Sequence, residues 1–357
     1  MRIAFFGSSL VSSYWNGTAT YYRGILRALH DRGHAIIFYE PDVPDRQQHR
    51  DLANPQYASS VVYPAKHSSE VLQTLETAAR TADLLVKASG IGVFDSLMEE
   101  AVLELRSRQT AVAYWDVDAA ATLERLRDDP SDPFRALIRY YDVIFTYGGG
   151  PLVTDGYRAL GAKNCFPIYN ALDPSTHYPV APDSRFTANL SFLGNRLPDR
   201  EERAFEFFFK PAEKHPELRF LLGGNGWEEV ASSYSNVSCI GHVYTADHNA
   251  FNSTPTAVLN VCRDSMARCG FSPPTRVFEA AGAAACLITD AWEGIENFLE
   301  PGKECLVAND GDEIEACLES LTPDRCREIG NAALKRVMAE HTYWQRAVDV
   351  EKALNQI

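Results

Sequence analysis

Short apolar segments alternate with amphipathic helical segments along most of the chain, and this alternation restricts the fold more than any other feature. Strands separated by helices form parallel sheets that are covered on both faces. A segment typical of an interdomain linker, ALDPSTHYPVAPDSRF, interrupts the alternation after Asn170. The sequence therefore predicts two Rossmann-like, doubly wound α/β domains in residues 1–170 and 171–340. Residues 341–357 are predicted to form a C-terminal helix that packs back towards the first domain.

The predicted strands are short apolar runs. They are RIAFFG, AIIFYE, DLLVKA, TAVAYW, DVIFTY and NCFPIY in the first half, and NLSFLG, RFLLGG, VSCIGH, AVLNVC, ACLITD and ECLVAN in the second. One long helix is predicted through EERAFEFFFKPAEKH. Two such sheets are expected to face each other across a cleft, and open α/β sheets bind ligands at the carboxyl ends of their strands. The loops after the strands are therefore the places to look for function.

Composition excludes several classes of protein. Of the 357 residues, 45% are apolar and 23% charged, which is typical of a globular protein. The longest uncharged apolar run, around residues 280–289, is far shorter than the ~20 residues of a membrane-spanning helix. A net charge of −14 argues against a nucleic-acid partner. The eight cysteines have no spacing suited to zinc and are predicted to be reduced thiols of a cytoplasmic protein.

The loop after NLSFLG has the residue types of an anion site. Gly194 allows a ligand to approach the backbone, Asn195 follows it, and Arg196 and Arg200 supply positive charge. A diphosphate is one ligand that fits this pattern, and a polar turn with surface arginines is the equally weighted alternative. The sequence contains neither GxGxxG nor a Walker motif, so a dinucleotide or ATP site is not predicted.

Two further loops follow strands of the second half. In GGNGW, Gly224 and Asn225 lie beside Trp227, which either stacks on a nucleotide base or is a half-buried residue of a glycine-rich turn. In LNVCRDS, Arg263 ends a buried run, so it is either paired with a carboxylate such as Asp264 or directed at a ligand.

The stretch PPTRVFEAAGAAACLITD predicts a helix from Thr275 to Ala283 that begins after two prolines. Arg276 and Glu279 are three residues apart and share a face of this helix. The carboxylate of Glu279 is suited to bind the vicinal hydroxyls of a ribose. A salt bridge between the two side chains is the alternative, worth under about 1 kcal/mol if it is exposed.

Loops of the first half supply candidates for a second substrate. Asp116 and Asp118 end a strand, where they serve either as catalytic base and hydrogen-bond acceptor or, for Asp118, as a helix cap. Other residues are candidates for binding the acceptor. Ser8 lies in the first loop, and Gly149 belongs to a run of three glycines. Tyr14, Trp15 and Asn16, followed by Gly17, are predicted to form an aromatic lip over the cleft.

The second half resembles the bacterial CgeB-like glycosyltransferases, which are related to the retaining family four of the GT-B fold. The resemblance depends on SFLGNRLPDRE, RFLLGGNGW, the long segment LNVCRDSMARCGFSPPTRVFEAAGAAACLITDAWEGIENFLEPGKECLV, and the terminal HTYWQRA. It covers nearly the whole second domain, and YWDVDAAATL and YDVIFTYGGG are similar to the acceptor side of the family. It implies a GT-B fold and the transfer of a sugar from a nucleoside-diphosphate donor.

The resemblance also implies roles for single residues. Glu279 matches the glutamate that holds the donor ribose, and Arg196 the basic residue that faces the diphosphate. Glu296, with Gly294 and Ile295 before it, matches a loop near the sugar and phosphates. Arg263 and Arg276 are further contributors of positive charge. No metal or cofactor is implied, and transfer with retention is expected.

The chain departs from the family at one position. Family four carries a second glutamate eight residues before the ribose-binding one, and here that residue is Phe271. Two other functions stay open, namely a GT-B epimerase that uses Asp116 or Glu296 near the anomeric carbon, and a nucleotide- or sugar-binding protein without turnover. The acceptor is a saccharide, a small molecule or a protein side chain.

Overall fold

A computed structural model describes residues 1–12, 18–43 and 46–357. The chain divides into two compact units. Unit 1 comprises Met1–Asn170 together with Tyr343–Ile357, and unit 2 comprises Ala171–Thr342.

Unit 1 contains a parallel sheet in which the described residues form seven strands, in the order β3-β2-β1-β4-β5-β6-β7. Its central strands are buried on both faces, as the continuous apolar runs predict. The strands are β1 (Arg2–Phe6), β2 (Ala35–Asp42), β3 (Ser59–Pro64), β4 (Leu84–Ala88), β5 (Ala111–Asp116), β6 (Val143–Thr146) and β7 (Cys165–Pro167).

Helices cover this sheet, and the last one comes from the C-terminal end of the chain. They are α1 (Thr18–Asp31), α2 (Ser68–Ala79), α3 (Asp95–Glu104), α4 (Ala119–Asp128), α5 (Phe134–Leu137), α6 (Gly150–Ala159) and α15 (Tyr343–Leu354). Helix α15 packs on α1 so closely that a Cβ on Gly24 would lie 2.1 Å from the ring of Tyr343. Glycine at this position therefore permits the contact.

Unit 2 contains a second parallel sheet, and its described strands lie in the order β10-β9-β8-β11-β12-β13. They are β8 (Leu190–Leu193), β9 (Phe220–Gly223), β10 (Val237–Gly241), β11 (Ala257–Asn260), β12 (Leu287–Asp290) and β13 (Leu306–Ala308). The helices are α7 (Pro198–Ala204), α8 (Lys210–Lys214), α9 (Glu228–Ala231), α10 (His248–Ser253), α11 (Asp264–Cys269), α12 (Thr275–Gly282), α13 (Gly311–Ser320) and α14 (Pro323–Glu340). The prediction of two Rossmann-like halves is thus confirmed.

Two local predictions differ from the structure. The single long helix is instead α7, a π-helical turn at Phe205–Phe209, and α8. Pro211 has no N–H for a bond to the preceding turn, and a wider turn before it accommodates that loss. The sequence does not predict β3 because it is an edge strand in which only Tyr63 is buried, and its apolar run is limited to residues 61–63.

Among the described residues, no helix has both the length and the apolar character needed to cross a bilayer.

Candidate functional site

The sheet of unit 2 reverses its winding direction between β8 and β11. From β8 the chain continues through β9 to β10 on one side, and β11 then pairs with the other side of β8. The loops after β8 and β11 therefore diverge and open a crevice at the carboxyl edge of the sheet, where open α/β folds bind ligands. Residues 194–200 and 261–264 border this crevice.

The glycines of the two neighbouring loops bring their backbones into direct contact. Gly194 N–H donates to the carbonyl of Gly223 (3.0 Å), and Arg196 N–H donates to the carbonyl of Asn225 (3.0 Å). Asn195 Oδ1 accepts from the N–H of Asn225 at 3.0 Å. Gly224 has φ +115°, and a Cβ on it would lie 2.3 Å from the Gly194 carbonyl oxygen. The predicted donor residues of both loops thus form one rigid group.

Trp227 is a core residue of this group. Its side chain is fully buried, and its indole N–H donates to the Gly194 carbonyl at 2.7 Å. The indole therefore supports the loop after β8 through this hydrogen bond. The interpretation that Trp227 stacks on a nucleotide base is wrong, because neither face of its ring reaches the surface.

Most arginines at this edge are paired with carboxylates. Arg196 binds Glu201 at 2.5 Å, and Arg263 binds Asp199 at 2.6 Å rather than the adjacent Asp264. Arg203, which the sequence analysis did not single out, binds the fully buried Asp290 at 2.6 Å. In addition, Asp290 accepts from the N–H of Cys262 at 2.9 Å, which joins the ends of β11 and β12.

Arg200 differs from these arginines. Its Nε is buried without a hydrogen-bond partner among the described residues, and the guanidinium forms no ion pair with a described carboxylate. Burial lowers the pKa of Arg200, yet an arginine stays charged because its ordinary pKa is above 12. Its Nη1 lies 2.7 Å from the position of a Cβ on Gly194, hence against the Gly194 backbone. A half-buried positive charge that forms no ion pair with a described carboxylate therefore lies at the crevice.

Glu279 and Arg276 form a buried ion pair on α12. The atoms Arg276 Nη1 and Glu279 Oε2 are 3.1 Å apart, and the two side chains are 12% and 10% exposed. Arg276 Nη1 also donates to Asn252 Oδ1 at 3.0 Å. Burial, the largest single influence, raises the pKa of Glu279, but Arg276, His177 and His248 together outweigh it and lower the pKa to about 2. The predicted salt bridge is present, and it is buried rather than exposed.

Two histidines that the sequence analysis did not select lie beside Glu279. His177 Nε2 is 3.8 Å from Glu279 Oε1, and His248 begins α10 nearby. His177 lies in the segment interpreted as a linker, and His248 in a polar stretch without periodicity. The sequence carries no signal that these positions meet, because only the fold brings residues 71 positions apart into contact.

The loop that contains Gly294, Ile295 and Glu296 packs against Phe271. Gly294 has φ +91°, and a Cβ on it would lie 2.4 Å from the Phe271 ring. Phe271 itself has φ +45° and donates its N–H to the Glu293 carbonyl at 2.6 Å. Ile295 is buried, whereas Glu296 is exposed.

In unit 1 the sheet reverses between β1 and β4, so the corresponding crevice lies after β1. Ser8 is buried there, and its carbonyl accepts from Arg46 Nη1 at 2.7 Å. Gly149 has φ +97° and precedes α6. Residues 14–17, which include Tyr14, Trp15, Asn16 and Gly17, lie outside the described residues.

Asp116 ends β5, its carboxylate is fully buried, and each of the two carboxylate oxygens accepts a hydrogen bond. Oδ2 accepts from the hydroxyl of Tyr157 at 2.5 Å, and Oδ1 accepts from the N–H of Asp118 at 3.0 Å. Asp118 is partly buried at the N-cap position of α4. The carboxylate of Asp116 therefore holds the turn between β5 and α4 in place.

Comparison with known proteins agrees with this geometry. Residues 200–352 match a family model described as "Glycosyl transferase-like". No curated protein sequence matches the chain significantly.

The solved structures similar to this chain share its fold over the full length. They include sucrose-phosphate synthase from Thermosynechococcus elongatus (TM-score 0.70, 13% identity, 100% of this chain and 98% of that chain). Anabaena HepE in complex with UDP-glucose matches with a TM-score of 0.69, 12% identity and 100% coverage of both chains. BGT of phage T4, solved with UDP and Mn²⁺, matches with a TM-score of 0.62, 14% identity and 99% coverage of both chains. The protein has the GT-B fold.

Proposed function

We propose that the protein is a glycosyltransferase that moves a sugar from a nucleoside-diphosphate donor to an acceptor. The family model over residues 200–352 and the GT-B fold support this proposal. We also propose that it is a CgeB-like glycosyltransferase and that its unit 2 binds the sugar donor.

One observation carries the assignment of the donor site. Arg200 is a half-buried cation that forms no ion pair with a described carboxylate, and it lies against the backbone of Gly194 at the switch point of the sheet. Its Nε is buried without a hydrogen-bond partner among the described residues, so its natural complement is a bound anion. A diphosphate fits because the three neighbouring arginines, Arg196, Arg203 and Arg263, are already neutralised by their own carboxylates.

This arrangement also suggests how transfer is accelerated. The bond between the sugar C1 and the β-phosphate oxygen breaks while a bond forms between C1 and the acceptor oxygen. Negative charge grows on the leaving diphosphate, and a preorganised cation in a site without water stabilises it. The proton of the acceptor hydroxyl passes to the leaving phosphate in a transfer with retention, which we propose by analogy with family four.

Further roles are proposed from the resemblance. Glu279 holds the donor ribose, with Arg276 fixing the carboxylate at 3.1 Å. The acceptor is a saccharide, a small molecule or a protein side chain and binds to unit 1. Asp116 and Asp118 are the candidates for a catalytic carboxylate there, and both oxygens of Asp116 accept hydrogen bonds in this structure.

A thermal-shift screen tests the donor site. Full-length protein is melted with UDP, GDP, TDP or ADP and with their sugars. We expect one nucleotide to stabilise the protein, because a ligand at 100 times its Kd adds about 2.7 kcal/mol. Arg200→Met should abolish this stabilisation without lowering the unliganded melting temperature, since it removes a half-buried charge that forms no ion pair with a described carboxylate while keeping an apolar stem.

Arg219→Met is the matched control. Arg219 is exposed and precedes β9, at the opposite edge of the same sheet. This variant should keep the full nucleotide response. If no nucleotide stabilises the wild-type protein, or if Arg200→Met responds as the wild type does, the donor-site assignment is wrong.

A further inference from the structure

We propose that His177, His248 and Glu279 form a binding site for a divalent transition-metal ion, with Zn²⁺ as the best fit. Each side chain offers one ligand atom, and these atoms all lie within 4.8 Å of one another. Among residues 1–12, 18–43 and 46–357, no other group of three such side chains meets this spacing. The inference goes beyond the transferase proposal. It uses the Oε1 side of Glu279, the residue that the transferase proposal assigns to the donor ribose, so the two proposals are tested separately.

Hydrogen bonds at the outer nitrogens set the tautomers of both histidines. The Thr176 hydroxyl donates to the Asp173 carbonyl at 3.2 Å, so it accepts from His177 Nδ1–H at 2.9 Å. The His248 Nε2 lies 3.2 Å from the Val243 carbonyl, which only accepts, so the proton is on Nε2. The inner atoms, His177 Nε2 and His248 Nδ1, therefore carry lone pairs.

The two inner nitrogens lack a hydrogen-bond partner in the described part of the chain. Both are buried without a hydrogen bond among the described residues, and the His177 side chain is only 5% exposed. Two lone pairs thus converge on the Oε1 side of a buried carboxylate whose Oε2 is paired with Arg276. A metal ion between the three atoms satisfies both nitrogens at once.

The donor set selects the kind of ion. Two imidazoles and one carboxylate suit zinc and its transition-metal neighbours, whereas Mg²⁺ and Ca²⁺ prefer oxygen ligands. The carbonyl and hydroxyl partners of the outer nitrogens are the usual supports of metal-binding histidines. Arg276 contacts Glu279 Oε2, which leaves Oε1 on the side of His177.

Metal binding requires the three ligand atoms to draw together. His177 Nε2 and Glu279 Oε1 are 3.8 Å apart, and all three atoms lie within 4.8 Å of one another, while two ligands of one tetrahedral zinc lie about 3.3 Å apart, given bonds of about 2.0–2.1 Å. The ion would join the segment after β7 to α10 and α12.

Metal binding is measured on full-length protein that has been treated with EDTA and desalted, in the absence of nucleotide. Calorimetric titration with Zn²⁺ should show one ion per chain, and Co²⁺ should give the visible absorption of a site with nitrogen and oxygen ligands. His177→Ala and His248→Ala should each weaken binding by roughly tenfold or more. Nucleotide binding is measured separately in EDTA, so failure of one proposal is distinguishable from failure of the other.

His215→Ala is the control, because His215 also faces two carboxylates, Glu217 at 3.0 Å and Glu315 at 3.4 Å, but lies outside the cluster. It should bind Zn²⁺ as the wild type does. A wild-type protein that binds neither Zn²⁺ nor Co²⁺ overturns the proposal however the variants fold. Thiolate bands in the Co²⁺ spectrum would also overturn the proposal, because they would place the ion on cysteines. The same holds if both histidine variants bind Zn²⁺ with the wild-type affinity.

Discussion

At the scale of single residues, the proposed donor site depends on two features. The backbones of two loops approach each other closely, and Arg200 forms no ion pair with a described carboxylate. Gly194 and Gly224 let two loops touch, and Arg200 lies against the first of them. The sequence predicted the glycines and arginines of these loops from their types and positions. It did not predict which arginine lacks a partner, because ion pairs such as Arg263 with Asp199 join residues 64 positions apart.

Gly224→Ala tests the close approach. A Cβ at this position would lie 2.3 Å from the Gly194 carbonyl oxygen, and its φ of +115° disfavours any side chain. We expect the free energy of unfolding to fall by about 2–4 kcal/mol, from overpacking and backbone strain together. Denaturant titration measures this loss.

Gly241→Ala separates the two causes. Gly241 also has a positive φ of +67°, but a Cβ there would meet nothing within 4 Å. This variant should lose only the strain contribution, about 1 kcal/mol. Equal losses in the two variants would mean that the contact between the loops does not matter for stability.

At the scale of secondary-structure elements, a charged cluster holds the C-terminal helix α15 against the rest of unit 1. Glu351 accepts from Arg32 at 2.6 and 2.9 Å and lies 3.0 Å from His34 Nε2. The hydrogen bond from Arg32 is the main reason why the pKa of Glu351 lies below its ordinary value; burial opposes it, and His34 contributes further.

Glu351→Gln should lower the free energy of unfolding by about 1–2 kcal/mol at neutral pH, as expected for a partly exposed charged hydrogen bond. A carboxylate whose pKa is lowered by folding stabilises the protein above its unfolded pKa of about 4.3. The contribution is lost as the pH falls through the lower, folded pKa. The difference between wild type and variant should therefore be constant near neutrality and shrink in acid.

Asp349→Asn on the same helix is the control, because the one ion pair of Asp349 among the described residues, with Lys352 at 3.4 Å, is exposed. Its stability should stay within about 0.5 kcal/mol of the wild type at every pH. A loss as large as that of Glu351→Gln would contradict the specific role of the cluster.

Elements were predictable where burial leaves a pattern in the sequence. The central strands are apolar runs, and α12 begins after Pro273 and Pro274, close to the predicted start. Edge strand β3 has no such pattern, and the π-helical turn at Phe205–Phe209 has the apolar content of an ordinary helix. The pairing of His177 with Glu279 was not predictable because it arises from tertiary packing alone.

At the scale of the whole molecule, each unit repeats the same design, a parallel sheet with a switch point at its centre. A net charge of −14 makes the chain as a whole repulsive to anions, so a diphosphate must find a local positive charge. We propose that Arg200 supplies this charge. We also expect donor binding to need no metal ion.

Calorimetric titration in EDTA measures how much Arg200 contributes to the binding of a diphosphate. The nucleoside diphosphate found in the thermal-shift screen and the corresponding nucleoside are titrated into wild-type protein and Arg200→Met. Loss of the Arg200 cation should weaken binding of the diphosphate by about 2–4 kcal/mol, roughly 30- to 1,000-fold, and leave binding of the nucleoside unchanged. Equal affinity of both proteins for the diphosphate, or no binding to the wild type in EDTA, would contradict the account.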